Sequence, residues 1–253
     1  MSDFVRKYWK VRDEKNSVLC VGLDPSPDEV REENILGYCL DIVERTSDYA
    51  MAYKPNSQFI LFTLKAKELS ELNKKIHQKR CLSILDHKLS DIGSSNAAAI
   101  YHIRAAGFDA LTASPFPGNI KETTDACHRN GLGVIFLALM SNSQAAWIQK
   151  ESTYNGRPLY HKIAKEAREA GADGLVVGAT GHVTDVEMRT AREIVGSTPV
   201  FLCPGIGAQG GDIEKVIRSA GQNVLLNVGR SILADPAPGS KAKQYRDLMN
   251  KYR

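Results

Sequence analysis

GVIFLAL, residues 133–139, is a run of seven residues with no charged or polar side chain, and Val134, Ile135 and Phe136 at its centre favour extended backbone. A strand with one wet face alternates apolar and polar residues, so an unbroken apolar run predicts a strand covered on both faces, as in a parallel sheet flanked by helices. Outward from it in both directions the pattern recurs. SVLCVGL (17–23), YAMAYK (49–54), CLSILDHK (81–88) and DALTAS (109–114) precede it, and DGLVVGA (173–179), PVFLCPG (199–205) and NVLLNVG (223–229) follow. Eight such runs in 253 residues, separated by segments long enough for crossover helices, predict an α/β protein built as a single (β/α)8 TIM barrel.

The segments between the runs carry helical periodicity. Leu64, Leu69, Leu72 and Ile76 share one face and predict a helix over 64–76, with Lys65, Lys67, Glu68, Glu71, Lys74 and Lys75 left to water. Asp3 is expected to cap a short N-terminal helix that runs to about residue 14, and Gly107, Gly131 and Gly171 suit helix ends. No linker divides the chain, so residues 1–253 read as one domain. Pro236 and Pro238, in DPAPGSKA, mark a turn before a terminal helix.

A composition of 43% apolar and 25% charged residues excludes a disordered chain. The net charge of +4 is spread evenly and implies no nucleic-acid surface. Cys20, Cys39, Cys81, Cys127 and Cys203 form no CxxC pair and no secretory framework, which predicts free thiols in a reducing compartment. MSDFVRKYWKVRDEKNS has no apolar signal core, and no later run reaches the roughly 18 apolar residues of a membrane span. A cytoplasmic protein without membrane partners is expected.

The candidate chemistry is densest in ILDHKLSDIGSSN, residues 84–96. Asp86 and Lys88 are two apart, so on an extended strand their side chains leave the same face. Asp91, beyond the strand, either flanks the lysine or projects across a subunit boundary. A lysine between carboxylates keeps its proton and can deliver it as a general acid. Asp24 and Lys54 end the first two runs, on the barrel face that carries active sites. One such charge suits a solvated ion pair equally well, but four converging on neighbouring strand ends point to a site.

The late runs supply an anion site. PGIGAQGGD (204–212) offers glycine backbone and the amide of Gln209, and NVGRSI places Gly229 and Arg230 just past the eighth run, where barrels bind phosphate. A phosphorylated substrate is expected. Ser141 and Asn142, in LALMSNSQ, suit either reading a polar ring edge or capping a turn. Residues 141–158, with Trp147 and Tyr154, suit a closing segment, a surface loop or a short helix. The six histidines show no HExxH or compact ligand spacing, so no metal site is expected, and His87 should point away from Asp86 and Lys88.

VGLDPS, YKPN, LDHKLSDI, PGIGAQGGD and NVGRSI together resemble the orotidine 5'-phosphate decarboxylase family over nearly the whole chain. The DxKxxDI stretch is shared with a wider superfamily, and its combination with Lys54 and the late GAQGG and GR segments is more specific. The resemblance implies cofactor-free loss of CO2 from C6 of orotidine 5'-phosphate, with protonation by Lys88 to give UMP. It implies that Lys54, Asp86, Lys88 and Asp91 form an alternating charged network and that Asp24 and Lys88 contact the ribose. Ser141 would bond the pyrimidine, and Gln209 and Arg230 would hold the phosphate beside Gly229. It further implies an obligate homodimer in which Asp91, Ile92 and Ser95 reach the other subunit's site. Serine at 95 stands where many relatives have threonine, keeping the hydroxyl and losing a methyl. The rival within the superfamily is magnesium-dependent sugar-phosphate chemistry, as in 3-keto-L-gulonate 6-phosphate decarboxylase or hexulose-phosphate synthase. That resemblance implies metal-assisted enediolate chemistry, for which a carboxylate at the end of the second strand would help bind magnesium, and this chain has Lys54 there. A non-catalytic, ligand-binding barrel is the remaining alternative, and the full lysine–carboxylate set argues against it.

Overall fold

The computed structural model describes residues 1–253 and turns each of the eight runs into a strand. These are β1 (Leu19–Leu23), β2 (Ala52–Pro55), β3 (Leu82–Leu89), β4 (Ala110–Ala113), β5 (Gly133–Leu139), β6 (Gly174–Val177), β7 (Val200–Pro204) and β8 (Val224–Val228). Neighbours pair in parallel throughout, and β8 returns to β1 with Leu19 opposite Leu226, closing a (β/α)8 barrel. β5 buries all seven of its residues, as its unbroken apolar run requires.

The longer helices are α1 (Asp3–Lys15), α2 (Ile35–Thr46), α3 (Ala66–Gln78), α4 (Gly93–Ala105), α5 (Ile120–Arg129), α6 (Leu159–Ala170), α7 (Asp185–Val195), α8 (Ile213–Ala220) and α9 (Pro238–Lys251). None is long and apolar enough to cross a membrane. α3 starts two residues later than its apolar spacing suggests, because the Lys65 N–H donates to Glu68 Oε2 at 2.7 Å and fixes the first turn there. Leu64 therefore precedes the helix, though it is buried in the same cluster as Leu69, Leu72 and Ile76. Gly107, Gly131 and Gly171 all adopt positive φ just beyond helix ends. Pro238 opens α9, and all five cysteines are buried and unpaired.

Two apolar shells hold the barrel. The larger lies between strands and outer helices, and a smaller one fills the barrel interior with Cys20, Ile84, Ile135, Leu202 and Leu225 among others. α1 closes the lower end of that interior. Its Phe4, Val5 and Tyr8 are buried in the inner shell, and the Tyr8 hydroxyl donates to the Val224 carbonyl at 2.9 Å. A Cβ at Gly133 would overlap the Phe4 ring, so the residue that opens β5 must be glycine for the stopper to seat. The cap of α1 is Ser2, whose Oγ accepts the Val5 N–H at 3.2 Å; Asp3, the expected cap, is instead the first helical residue. The same Ser2 hydroxyl donates to Asp173, so it is held from both sides, and Asp3 faces the positive helix end as an acid should.

Two buried aspartates lock the stopper to the barrel by parallel means. Asp109 accepts the Ser83 N–H at 2.9 Å, lies 2.9 Å from His77 Nε2 and bonds Lys7 of α1 at 3.1 Å. Asp173 accepts the Val134 N–H at 2.8 Å, lies 2.9 Å from His128 Nε2 and takes Ser2 of α1. The bond to Asp173 raises the His128 pKa above the ordinary imidazole value of 6.5, against an opposing effect of partial burial. A histidine with a raised folded-state pKa stabilises fully below 6.5 and loses that contribution as pH rises through its folded value. The difference in Tm between wild type and His128→Ala is therefore expected to be larger at pH 6 than at pH 9, and thermal unfolding at both pH values checks it. A difference that grows with pH would contradict the assignment.

Candidate active site

The C-terminal ends of the strands surround a cavity of about 250 Å3. Its floor is apolar, with Leu137, Val176 and Leu202 pointing up from β5, β6 and β7. Its charged wall comes from β1, β2 and β3, where Asp24, Lys54, Asp86 and Lys88 converge. Opposite stand Ser141 beyond β5 and Gln209 in the loop after β7, while Gly229 and Arg230, beyond β8, adjoin Asp24.

The wall is organised around the Asp86 carboxylate. Lys54 Nζ donates to Oδ2 at 2.6 Å and Lys88 Nζ donates to Oδ1 at 2.7 Å. Burial pushes the Asp86 carboxyl up, but the two ammonium groups outweigh it and hold the pKa well below the usual carboxylate range. Burial likewise favours loss of the Lys54 proton, and Asp86 and Asp24 overcome it, so Lys54 titrates above the ordinary lysine range. The two lysines differ in access: the Lys54 side chain is 4% exposed and the Lys88 side chain 37%. Both line the cavity, and Lys88 is the more open of the two. Asp24 has its carboxyl pKa raised, chiefly by burial, and its Oδ1 is buried with no hydrogen-bond partner in the chain. A buried acceptor of that kind is suited to a hydroxyl donor in the cavity.

β3 is not regularly extended where the site forms. Leu85 pairs with Leu111 and Leu89 with Ala113, so the strand bulges across Asp86, His87 and Lys88, and Lys88 adopts φ +54. The shared face of Asp86 and Lys88 thus results from a bulge and not from simple alternation. His87 does not line the cavity; it is half-buried, and burial lowers its pKa.

Asp91, Ile92 and Ser95 lie outside this cavity. The strand ends at Leu89 and the chain turns outward into α4; Asp91 Oδ1 accepts the Ile92 N–H at 2.8 Å and its carbonyl accepts Asn119 Nδ2 at 2.9 Å. Within one chain, Lys88 therefore bonds a single carboxylate, Asp86, and does not sit between two. All three residues are exposed on a rim that also carries Phe62, 97% exposed, and Phe116, 82% exposed. These segments follow the adjacent strands β2, β3 and β4.

Besides Asn56, just past β2, Thr112 and Asn227 are the polar wall residues that were not singled out from the sequence. Each is the lone hydrogen-bonding side chain in the interior of its strand, which was the available signal. Thr112 bonds Asp86, and Asn227 is buried with Oδ1 unpartnered. Residues 141–158 form neither an open loop nor a regular helix. They comprise a tight 3-10 turn over Ser143–Ala145 and a wider π-helical turn over Trp147–Glu151, then a small hairpin that pairs Tyr154 with Arg157, while Gln149 turns inward to accept the Met140 N–H at 2.9 Å.

The family model for orotidine 5'-phosphate decarboxylase / HUMPS matches residues 17–245. The orotidine 5'-phosphate decarboxylase of Ralstonia nicotianae is 38% identical, with 94% of each chain covered, and that of Aromatoleum aromaticum is 34% identical, with 98% of each covered. Among solved structures, the orotidine monophosphate decarboxylase of Leishmania donovani superposes with a TM-score of 0.84 at 28% identity, covering 100% of this chain and 98% of the other. The match over nearly all of the barrel, with the charged wall and the late glycine loop in place, puts this chain in the orotidine 5'-phosphate decarboxylase / HUMPS family.

Proposed function

We propose that the chain decarboxylates orotidine 5'-phosphate to UMP and CO2 without a cofactor. The observation that carries this reading is the Lys54–Asp86–Lys88 array, in which a buried cation occupies the end of β2. Sugar-phosphate relatives that use magnesium need a carboxylate there; the Lys54 ammonium instead claims one oxygen of Asp86 and opposes a divalent ion. The substrate is a small phosphorylated nucleotide. Its phosphate is assigned to Gln209, Gly229 and Arg230, its pyrimidine to Ser141, and its ribose hydroxyls to Asp24 and Lys88.

In the reaction, the bond from C6 to the carboxylate breaks, CO2 leaves, and the electron pair stays on C6. Lys88 Nζ gives a proton to that carbon and later regains one from water. The charges are already in place when negative charge develops on C6, so little reorganisation is needed. Binding of the remote phosphate and ribose holds the reacting carboxylate against the charged wall. The exposed rim supports a homodimer: Phe62, Phe116 and Ile92 expose large apolar side chains suited to a second copy, and Asp91 and Ser95 are assigned to the partner's cavity.

Absorbance loss of orotidine 5'-phosphate with appearance of UMP, measured in excess EDTA, tests the reading. Turnover within about twofold of the EDTA-free rate is expected, since no step requires Lewis-acid chemistry. Folded protein that leaves this substrate intact, yet turns over sugar phosphates once magnesium is added, would overturn it.

A further inference from the structure

Lys88 combines two properties that conflict. It is assigned as the proton donor, which demands a fixed ammonium, yet its backbone occupies φ +54, a left-handed conformation that a lysine rarely adopts. The bulge in β3 also moves its N–H away from regular pairing with β4. One side chain resolves both. The Lys88 N–H donates to Thr112 Oγ1 at 3.0 Å, and the Thr112 hydroxyl donates to Asp86 Oδ1 at 3.0 Å. Asp86 Oδ1 in turn accepts Lys88 Nζ at 2.7 Å, which closes a ring through both ends of the same lysine.

We propose that Thr112 is a positioning residue for the reaction, setting the Lys88 ammonium by tying the lysine's backbone and its counter-ion to one hydroxyl. This rests on the reading of Lys88 as proton donor. The chemistry of the link is restrictive. A single atom must accept an amide proton and donate to a carboxylate oxygen at once, which a hydroxyl does and a methyl does not. Thr112 is buried, so water has little access to replace it. Its β-branched side chain is stiff about χ1, which holds the oxygen between its two partners.

Thr112→Val keeps the branched shape and deletes the hydroxyl. It leaves the Lys88 N–H unpaired and leaves Asp86 Oδ1 held by the flexible Lys88 side chain alone. A displacement of the reacting group by about 1 Å costs on the order of 100-fold. T112V is expected to lose about 10- to 100-fold in kcat with KM changed less than about threefold, because the phosphate contacts and Asp24, which supply most of the remote binding, are untouched. T112S, which keeps the hydroxyl, should recover kcat to within about threefold of wild type. Amide hydrogen exchange provides a readout free of activity: the Lys88 N–H should exchange faster in T112V than in wild type or T112S. Wild-type kcat in T112V, equal loss in T112S and T112V, or an unchanged Lys88 exchange rate would each overturn the proposal. If T112V does not fold, T112A carries the same expectations. Failure of the wild-type enzyme to convert orotidine 5'-phosphate would instead refute the underlying reaction, which the exchange experiment does not depend on.

Discussion

Lys88→Ala is expected to lose about 10^4-fold or more in turnover, while the protein remains folded. General acid catalysis by a positioned side chain contributes roughly 10^2- to 10^4-fold, and removing one fixed charge from a preorganised site costs roughly 10^2- to 10^3-fold more. Both losses fall on the same residue here, and no neighbour is placed to compensate. Lys54 also lines the cavity, but it is bound to Asp86 Oδ2 and its side chain is 4% exposed against 37% for Lys88, so it is the poorer placed of the two to protonate a substrate carbon. The fold should tolerate the change because Asp86 keeps its bonds from Lys54 and Thr112 and is not left as an unpaired buried charge. Single-turnover UMP formation, with a thermal scan of the same sample, measures both halves. Turnover near the wild-type rate would remove Lys88 as proton donor, and the reaction would need another acid.

Much of this architecture is legible in the residues because burial on both faces writes itself as an apolar run. β5 is observed over the same seven residues that the run spans, and the other seven strands fall within one to three residues of theirs, β2 starting three residues into its run. Where local hydrogen bonds decide a boundary, periodicity is less informative. Glu68 delays the start of α3, and Ser2 displaces Asp3 as the cap of α1, because each bond depends on a partner that apolar spacing does not record. The site divides in the same way. Charges at strand ends were readable from the fold, so Asp24, Lys54, Asp86 and Lys88 line one cavity together with Ser141, Gln209, Gly229 and Arg230. The left-handed backbone at Lys88 was not readable, since nothing in LDHKL carries the glycine or asparagine that usually marks such a turn. Thr112 was hidden for a related reason. Its role depends on two residues of β3 bulging toward one hydroxyl of β4, a relation between strands and not within either.

Mixing two inactive variants is expected to restore activity, which tests the assignment of Asp91 to the partner subunit. Two unit charges about 4 Å apart at an effective dielectric of about 20 interact by about 4 kcal/mol, so loss of Asp91 beside the substrate carboxylate and Lys88 should cost roughly 10^3-fold. Asp91→Ala and Lys88→Ala should therefore both be nearly inactive alone. If each site takes Lys88 from one chain and Asp91 from the other, a mixed dimer holds one site with both defects and one with neither. Random exchange of equal amounts makes half of the dimers mixed, so about a quarter of all sites, and about a quarter of wild-type activity, should return in a two-fold symmetric assembly. Differently tagged variants verify that mixed dimers have formed. If Asp91 instead served the cavity of its own chain, every site in the mixed dimer would lack one group, and no activity would return however completely the subunits exchanged. The exposed position of Asp91, its bond to the Ile92 N–H and the turn of the chain into α4 all favour recovery. Absence of recovery in verified mixed dimers would return Asp91 to its own chain and require the segment after Leu89 to fold inward over Lys88.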